Sequence, residues 1–329
     1  MKLLVCGAAG FIGSNFVRQR VIDFGDDVTV LDKLTYAGRR ENLADLKTVQ
    51  LIEGAIEDPD AVRRASSGAD AIVNFAAESH VDRSISGPQT FVDTNVTGTL
   101  TLLEAARELG VRYLQVSTDE VYGSIEEGSF SESSPLQPSS PYSATKAGAD
   151  LLVASYFETY GLEAVICRGS NNYGPYQYPE KLIPLMILNA LHGDKLPVYG
   201  DGLNVRNWLF VEDFGRGIST VLAKGNPGEA YNVGGPDECT NIEVVKRILQ
   251  LTSRDESLIE YINDRPGHDR RYSLGAEKVK ELGWQAEVHF AEGLERTVNW
   301  YRDNESWWGP IRSGEYREYY EQQYGKQLS

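Results

Sequence analysis

Cysteine and histidine are scarce in this chain. The three cysteines, Cys6, Cys167 and Cys239, show no Cys-x-x-Cys spacing, which argues against a disulfide framework and fits buried thiols in a reducing cytoplasm. Four histidines without His-Glu-x-x-His or Cys/His clustering argue against a metal site. Positive charge is short as well: 32 Lys and Arg against 48 Asp and Glu give a net charge of −16. That balance argues against a nucleic acid or an anionic membrane as partner. An anionic ligand would be held by local arginines, lysines and helix N-termini. No apolar run reaches the roughly 18–20 residues a membrane span needs. Met1-Lys2 leads at once into a short strand and a glycine turn, unlike a signal peptide. A cytoplasmic globular protein is the expectation.

With 329 residues, 41% of them hydrophobic, the chain can bury more than one layer. Apolar strands are read at 2–6, 28–31, 49–52, 70–75, 113–117 and 164–167. Helices follow the glycine turn at 7–13 and the Asp58-Pro59 pair, then run over 88–109 and from Tyr142 to about Tyr160. Strands alternating with helices at this spacing predict an α/β fold, a doubly wound parallel (Rossmann) sheet. From about Asn171 the rhythm breaks into glycine- and proline-rich loops. The expected division is a dinucleotide-binding domain over 1–170 and a smaller C-terminal substrate-binding lobe over 171–329. Some elements of that lobe, such as 231–234, return to the first domain.

Gly7, Gly10 and Gly13 follow G-x-x-G-x-x-G at the first strand-to-helix junction. A glycine turn there lets backbone N–H groups approach a pyrophosphate at the helix N-terminus. Asp32 ends the second strand about 20 residues further on, where a carboxylate binds the ribose hydroxyls of NAD. Arg39 and Arg40 are the residues that would serve NADP instead, and NAD is the expected cofactor. In Phe75-Ala-Ala-Glu-Ser79, small residues after a strand let the chain pass close to that cofactor.

Tyr142 and Lys146 stand one helical turn apart on one face, and a neighbouring ammonium favours phenolate, so Tyr142 is a candidate base. Thr118-Asp119-Glu120-Val121 sets a hydroxyl and two carboxyl groups at the end of a buried strand. Tyr plus Lys moves a proton while a cofactor moves a hydride. An added acid and base suggest elimination. The bland alternative for Asp119 and Glu120 is a capped, salt-bridged strand end.

These residues together resemble the extended short-chain dehydrogenase/reductase family, in particular its nucleotide-sugar dehydratases. The resemblance spans nearly the whole chain. It rests on Ala76-Ala-Glu-Ser-His-Val-Asp-Arg-Ser84, Ser117-Thr-Asp-Glu-Val-Tyr-Gly123, Asn171-Asn-Tyr-Gly-Pro175, Pro179-Glu-Lys-Leu-Ile-Pro184, Asn204-Val-Arg206, Asp264-Arg-Pro-Gly-His-Asp-Arg-Arg-Tyr272 and the tail from Ser313-Gly-Glu-Tyr316. It implies a lyase: oxidation at C4 of a nucleotide-linked hexose, loss of water across C5 and C6, and hydride return to C6. Tyr142 would be the base, with Lys146 lowering its pKa, Glu120 would take the C5 proton, Asp119 would protonate the leaving hydroxyl and Thr118 would bond the C4 oxygen. Ser117 is expected to face the sheet.

The resemblance further implies that NAD contacts Gly7, Gly10, Phe11, Ile12, Gly13, Asp32, Lys33, Leu34, Thr35, Ala55, Ile56, Phe75, Ala76, Ala77, Ser79, Thr94, Tyr142, Lys146 and Asn172. The nucleotide-sugar substrate would contact His80, Thr118, Asp119, Glu120, Asn171, Lys181, Leu182, Pro197, Tyr199, Arg206, Asn241, Arg265 and His268. Similar enzymes are homodimers built through two long helices. Where the family carries an Asp beside Ile to hold adenine, this chain has Ala55-Ile56, so weaker NAD retention is expected. Rival readings are a nucleotide-sugar 4-epimerase, another hexose 4,6-dehydratase preferring NADP, and a non-catalytic dinucleotide sensor.

Overall fold

The near-continuous apolar runs become strands buried on both faces, as a parallel sheet requires. The computed structural model describes residues 1–264, 268–313, 320, 324 and 325. Its first half runs β1 (Lys2–Cys6), α1 (Phe11–Ile22), β2 (Asp27–Asp32), β3 (Gln50–Glu53), α2 (Pro59–Ala65), β4 (Ala71–Asn74), α3 (Val81–Ser86), α4 (Pro88–Phe91), a π-helical stretch (Val92–Gly98), α5 (Thr99–Leu109), β5 (Arg112–Thr118), α6 (Pro141–Tyr160) and β6 (Ala164–Gly169). The second half adds β7 (Asn171–Tyr173), α7 (Leu182–His192), β8 (Leu196–Tyr199), β9 (Val205–Phe210), α8 (Val211–Lys224), β10 (Ala230–Val233), β11 (Asp237–Thr240), α9 (Asn241–Leu251), β12 (Ile259–Ile262), α10 (Glu277–Glu281), α11 (Phe290–Asp303) and α12 (Glu305–Ser313).

Seven strands form one sheet in the order β10-β6-β5-β4-β1-β2-β3, all paired in parallel. The strand order reverses between β1 and β4, so a crevice opens at their carboxyl ends, where such sheets bind ligands. β10 comes from late in the chain yet pairs with β6, and α8 packs against α1. One apolar cluster, around Val5, Phe16, Val73 and Phe214, fills one face of this sheet; a second, around Leu4, Leu31, Ile72 and Leu103, fills the other. The remaining elements build a separate cluster around Tyr173, Trp208, Phe210 and Phe290, with one three-stranded sheet (β11-β9-β7) and one two-stranded sheet (β12-β8).

The expected helix over 88–109 is continuous in space but not in register. Its middle turn, Val92–Gly98, is π-helical. The wider turn directs both Thr94 and Asn95 inward, at 2% and 1% exposure. α6 starts where expected for local reasons: Pro141 at its first position, and a capping box in which Ser140 and Ser143 satisfy each other's backbone N–H. Gly161, at φ 67°, ends it. Tyr142 and Lys146 thus lie in the first two turns of a firmly started helix.

Candidate active site

The crevice begins at Gly7, whose φ is +73° and whose Cβ, were there one, would stand 2.4 Å from the Ala76 backbone nitrogen. Only glycine fits there. At Gly13 a Cβ would stand 2.6 Å from Ala8 Cα, so this position keeps α1 close to its strand. Gly10 caps α1 without a side chain, leaving the N-terminal N–H groups directed into the crevice. Asp32 is buried: its carboxylate accepts from Ala9 N at 2.9 Å and Leu34 N at 2.8 Å. Burial pushes this carboxyl up, against the pull of those two N–H groups. Lys33 Nζ donates to Thr94 Oγ1 at 2.8 Å and lies 3.4 and 3.5 Å from Glu57 and Glu78.

On the far wall, β5 ends in Thr118 and the chain tightens into a 3-10 turn, Asp119–Tyr122. The Thr118 hydroxyl donates to Asp119 Oδ1 at 3.1 Å and accepts from Glu120 N at 3.2 Å. Asp119 is 1% exposed, and its Oδ2 has no hydrogen-bond partner among the described residues. Burial, reinforced by the Glu120 charge, pushes its carboxyl up to about 7. Lys146 Nζ donates to the Val116 carbonyl at 2.7 Å, and burial brings its ammonium down to about 8.

Tyr142 departs from the expectation of a phenol lowered by its lysine. Burial raises it, and the Glu120 and Asp119 charges raise it further. The Lys146 ammonium does not offset these influences: it is itself desolvated and directed at the Val116 carbonyl.

Most of the anticipated residues line this one crevice: Gly7, Gly10, Phe11, Ile12, Gly13, Asp32, Lys33, Thr35, Ile56, Phe75, Ala76, Ala77, Ser79, Thr94, Asn172, Thr118, Asp119, Glu120, Tyr142, Lys146, Asn171 and Lys181. Leu34 and Ala55 do not line it. Leu34 packs on the sheet core and only its N–H serves the site, by holding Asp32. Neither carboxyl near Ala55, Glu57 or Asp58, lines the crevice. Asp58 caps α2, and one oxygen of Glu57, Oε1, is taken by Thr94 and Lys33, while its Oε2 has no hydrogen-bond partner among the described residues. His80 and Leu182 also fall outside the lining: buried His80 lies 4.0 Å from Glu180, and Leu182 packs on the second-lobe core.

A second polar group sits on β8, β9 and the start of α9. Arg206 donates to the Asp269 carbonyl at 3.0 Å and lies over the Tyr272 ring at 4.4 Å. Asn204 donates to that same carbonyl and accepts from Asn241 N. His268 is held by Asp264 at 2.6 Å, edge-on to Tyr199 on β8, the strand that also carries Pro197. Arg206 is close enough for its charge to pull the Asp119 carboxyl down, which ties this group to the crevice. Arg265 and residues 314–316 of the tail motif lie outside the described residues.

The crevice also holds residues not singled out from sequence. Ser117 lines it rather than turning to the sheet alone, as do Gln177, Tyr178 and Glu180. Buried Glu180 accepts from Tyr36 OH at 2.9 Å and faces Arg83 at 3.5 Å. Its signal lies in Pro179-Glu-Lys-Leu-Ile-Pro184, the motif that also carries Lys181 and Leu182. Among the described residues no helix is long and apolar enough to cross a membrane, and no three His, Cys, Asp or Glu side chains group to hold a metal.

A parallel sheet with its glycine turn at the switch point, and a Tyr/Lys pair on the helix facing it, define the short-chain dehydrogenase/reductase class of Rossmann-fold proteins. Comparison with known proteins narrows this. A family profile described as GDP-mannose 4,6 dehydratase matches residues 4–297. The low-salt glycan biosynthesis protein Agl12 of Haloferax volcanii is 53% identical, over 92% of this chain and 98% of its own. A dTDP-glucose 4,6-dehydratase of Streptomyces niveus is 51% identical over 95% and 96%. The crystal structure of the dTDP-glucose 4,6-dehydratase DesIV from Streptomyces venezuelae, with NAD and dTDP bound, superposes with a TM-score of 0.93. It has 54% identity and covers 94% of this chain and all of that one. The chain belongs to the GDP-mannose 4,6 dehydratase family and is a homologue of the dTDP-glucose 4,6-dehydratases.

Proposed function

We propose that this protein is an NAD-dependent dTDP-glucose 4,6-dehydratase, a hydro-lyase that yields dTDP-4-keto-6-deoxyglucose. The observation that carries the reading is the acid and base side by side. Asp119, whose carboxyl is pushed up to about 7, adjoins Glu120, and both line one crevice with Thr118 and Tyr142, near enough for their charges to act on that phenol. An epimerase needs the phenol and the ammonium but has no use for the two carboxyls.

The crevice residues fit the cofactor: a side-chain-free approach at Gly7 and Gly10 for the pyrophosphate, and Asp32 for the ribose. NAD⁺ held by these residues would supply the hydride acceptor for the glucosyl C4 and, once reduced, the hydride for C6. Tyr142 takes the proton of the C4 hydroxyl, helped by the Lys146 ammonium. The resulting ketone acidifies C5, and Glu120 removes that proton. Asp119 gives its proton to the C6 hydroxyl, which leaves as water. Glu120 returns its proton to C5. The proton Tyr142 gains balances the one Asp119 gives, so the cycle closes without net acid or base. Arg206, with Lys181, Asn171, Asn241 and His268, holds the nucleoside diphosphate against the global negative field, a guanidinium fork matching phosphate oxygens.

The protein is read as a cytoplasmic homodimer. Leu100 on α5 and Leu151 on α6 are 40% and 62% exposed, an apolar face suited to the same helices of a second copy. Leu151→Arg then sediments as a monomer; wild-type protein that is already monomeric overturns the dimer.

Incubation with dTDP-glucose, followed by alkaline absorbance of a 4-keto-6-deoxy product, tests the activity. Accumulation of dTDP-galactose in place of that product speaks for epimerisation. Glu120→Gln is expected to lose dehydration by about 100-fold or more while still oxidising C4. Normal dehydration by that variant removes Glu120 from its role.

A further inference from the structure

One turn beyond Lys146 on the same buried face of α6 stands Asp150, a carboxylate that the chemistry above does not use. It is 1% exposed. Its Oδ2 accepts from Arg168 Nε on β6 at 2.8 Å, and its Oδ1 has no hydrogen-bond partner among the described residues. Arg168 in turn donates to Tyr122 OH at 2.7 Å, and Tyr122 donates to Asn232 on β10. Phenol, ammonium, carboxylate and guanidinium therefore run inward from the crevice in the order Tyr142, Lys146, Asp150, Arg168. We propose that Asp150 is a positioning residue that keeps Lys146 charged beneath Tyr142 and is itself held in place by Arg168.

The balance of charges supports this. Burial drives the Lys146 ammonium toward neutrality, and the Asp150 charge opposes it. The other titratable groups around this chain of charges do not substitute. Asp119 and Glu120 face the phenol end, which the Asp150 charge also reaches and raises, to a smaller extent; Tyr122 is engaged with Arg168, and the buried Tyr113 on β5 is raised by burial. A neutral Lys146 would leave a Tyr142 phenolate without a counter-ion in a low-dielectric site.

The inference rests on the roles given to Tyr142 and Lys146, so the test isolates their step. dTDP-xylose has no C6, so it can be oxidised at C4 but cannot lose water, and absorbance at 340 nm reports that step alone. The holoenzyme is followed from pH 6 to 10. Asp150→Asn moves the alkaline limb of this step to lower pH, and the rate at pH 10, above the limb, falls about tenfold for every pH unit the limb travels. Arg168→Gln leaves the Asp150 charge wholly to Lys146 and moves the limb to higher pH. A residue that merely braces the fold cannot move the limb in opposite directions. An unmoved limb in Asp150→Asn, or movement of the same sign in both variants, overturns the proposal. If Asp150→Asn does not fold, the sign in Arg168→Gln decides. No cofactor reduction by wild-type protein, by contrast, counts against the proposed function itself.

Discussion

Around Gly7 the crevice is shaped by missing side chains, whereas around Asn171 and Arg206 it is shaped by present ones. On the glycine side the polar groups at the turn itself are held by backbone, Gly7 N by Leu31 O and Asp32 by Ala9 and Leu34, although Glu57 Oε2 nearby has no hydrogen-bond partner among the described residues. On the other side, buried side-chain oxygens of Asn171, Gln177, Glu180, Asn204 and Asn241 have no hydrogen-bond partner among the described residues. Leaving a buried acceptor unpaired costs about 1–3 kcal/mol. Such costs gather at functional sites, where a ligand's donors answer them. In the function proposed above, one half would bind by letting a cofactor come near and the other by reaching out to a substrate.

The largest test of that contrast is Gly7→Ala. Its methyl would meet the Ala76 backbone, which cannot retreat as a side chain can. Bound cofactor measured after purification should fall about 100-fold, with a stability loss of about 2–4 kcal/mol. Unchanged cofactor content would mean the two loops can part.

At the seam, Asp119→Asn should lower dehydration about 100-fold. In wild-type protein kcat/KM should decline as pH rises through about 7, because the acid must carry its proton. The sign for stability has the same origin. Asp119 is raised in the folded state, so its contribution is present below its unfolded value and lost as pH rises through about 7. The Asn variant should therefore unfold at a higher temperature than wild type at pH 8, by at most roughly 4 kcal/mol in free energy, and show no such advantage near pH 4. A variant no more stable at pH 8 would show that the carboxylate is not penalised there.

On the substrate side, Arg206→Met should raise KM for dTDP-glucose about 30-fold, near 2 kcal/mol for a charge-assisted contact, and leave cofactor content alone. A matching loss of cofactor would erase the division between the halves. The smallest effect is a gain. Ala55→Asp should improve NAD retention by about tenfold, one charge-assisted hydrogen bond. Equal retention in both proteins would show that nothing was missing.

The readability of the sequence follows the same division. The glycine turn, Asp32 and the six strands of the first half could be read because each depends on neighbours in the chain. The π-helical turn at 92–98 could not. Its residues carry ordinary helical periodicity, and the wide turn is seen only in the packing of Thr94 and Asn95. Ser117 was assigned to the sheet, yet it also borders the crevice. Glu180 went unnoticed because its partners Tyr36 and Arg83 are remote in sequence. Tyr142 was read from its lysine alone, and the carboxyls that raise it belong to another strand's end.

By itself the sequence determined the parallel sheet, the glycine approach, and the presence of phenol, ammonium, acid and base, since periodicity, turn chemistry and short motifs act over a few residues. Tertiary structure alone decided which charges face one another. It set Asp119 near neutrality, turned Tyr142 upward, and placed Asp150 between Lys146 and Arg168. A pKa is fixed by burial and by charges from elsewhere in the chain, and neither exists until the chain has folded.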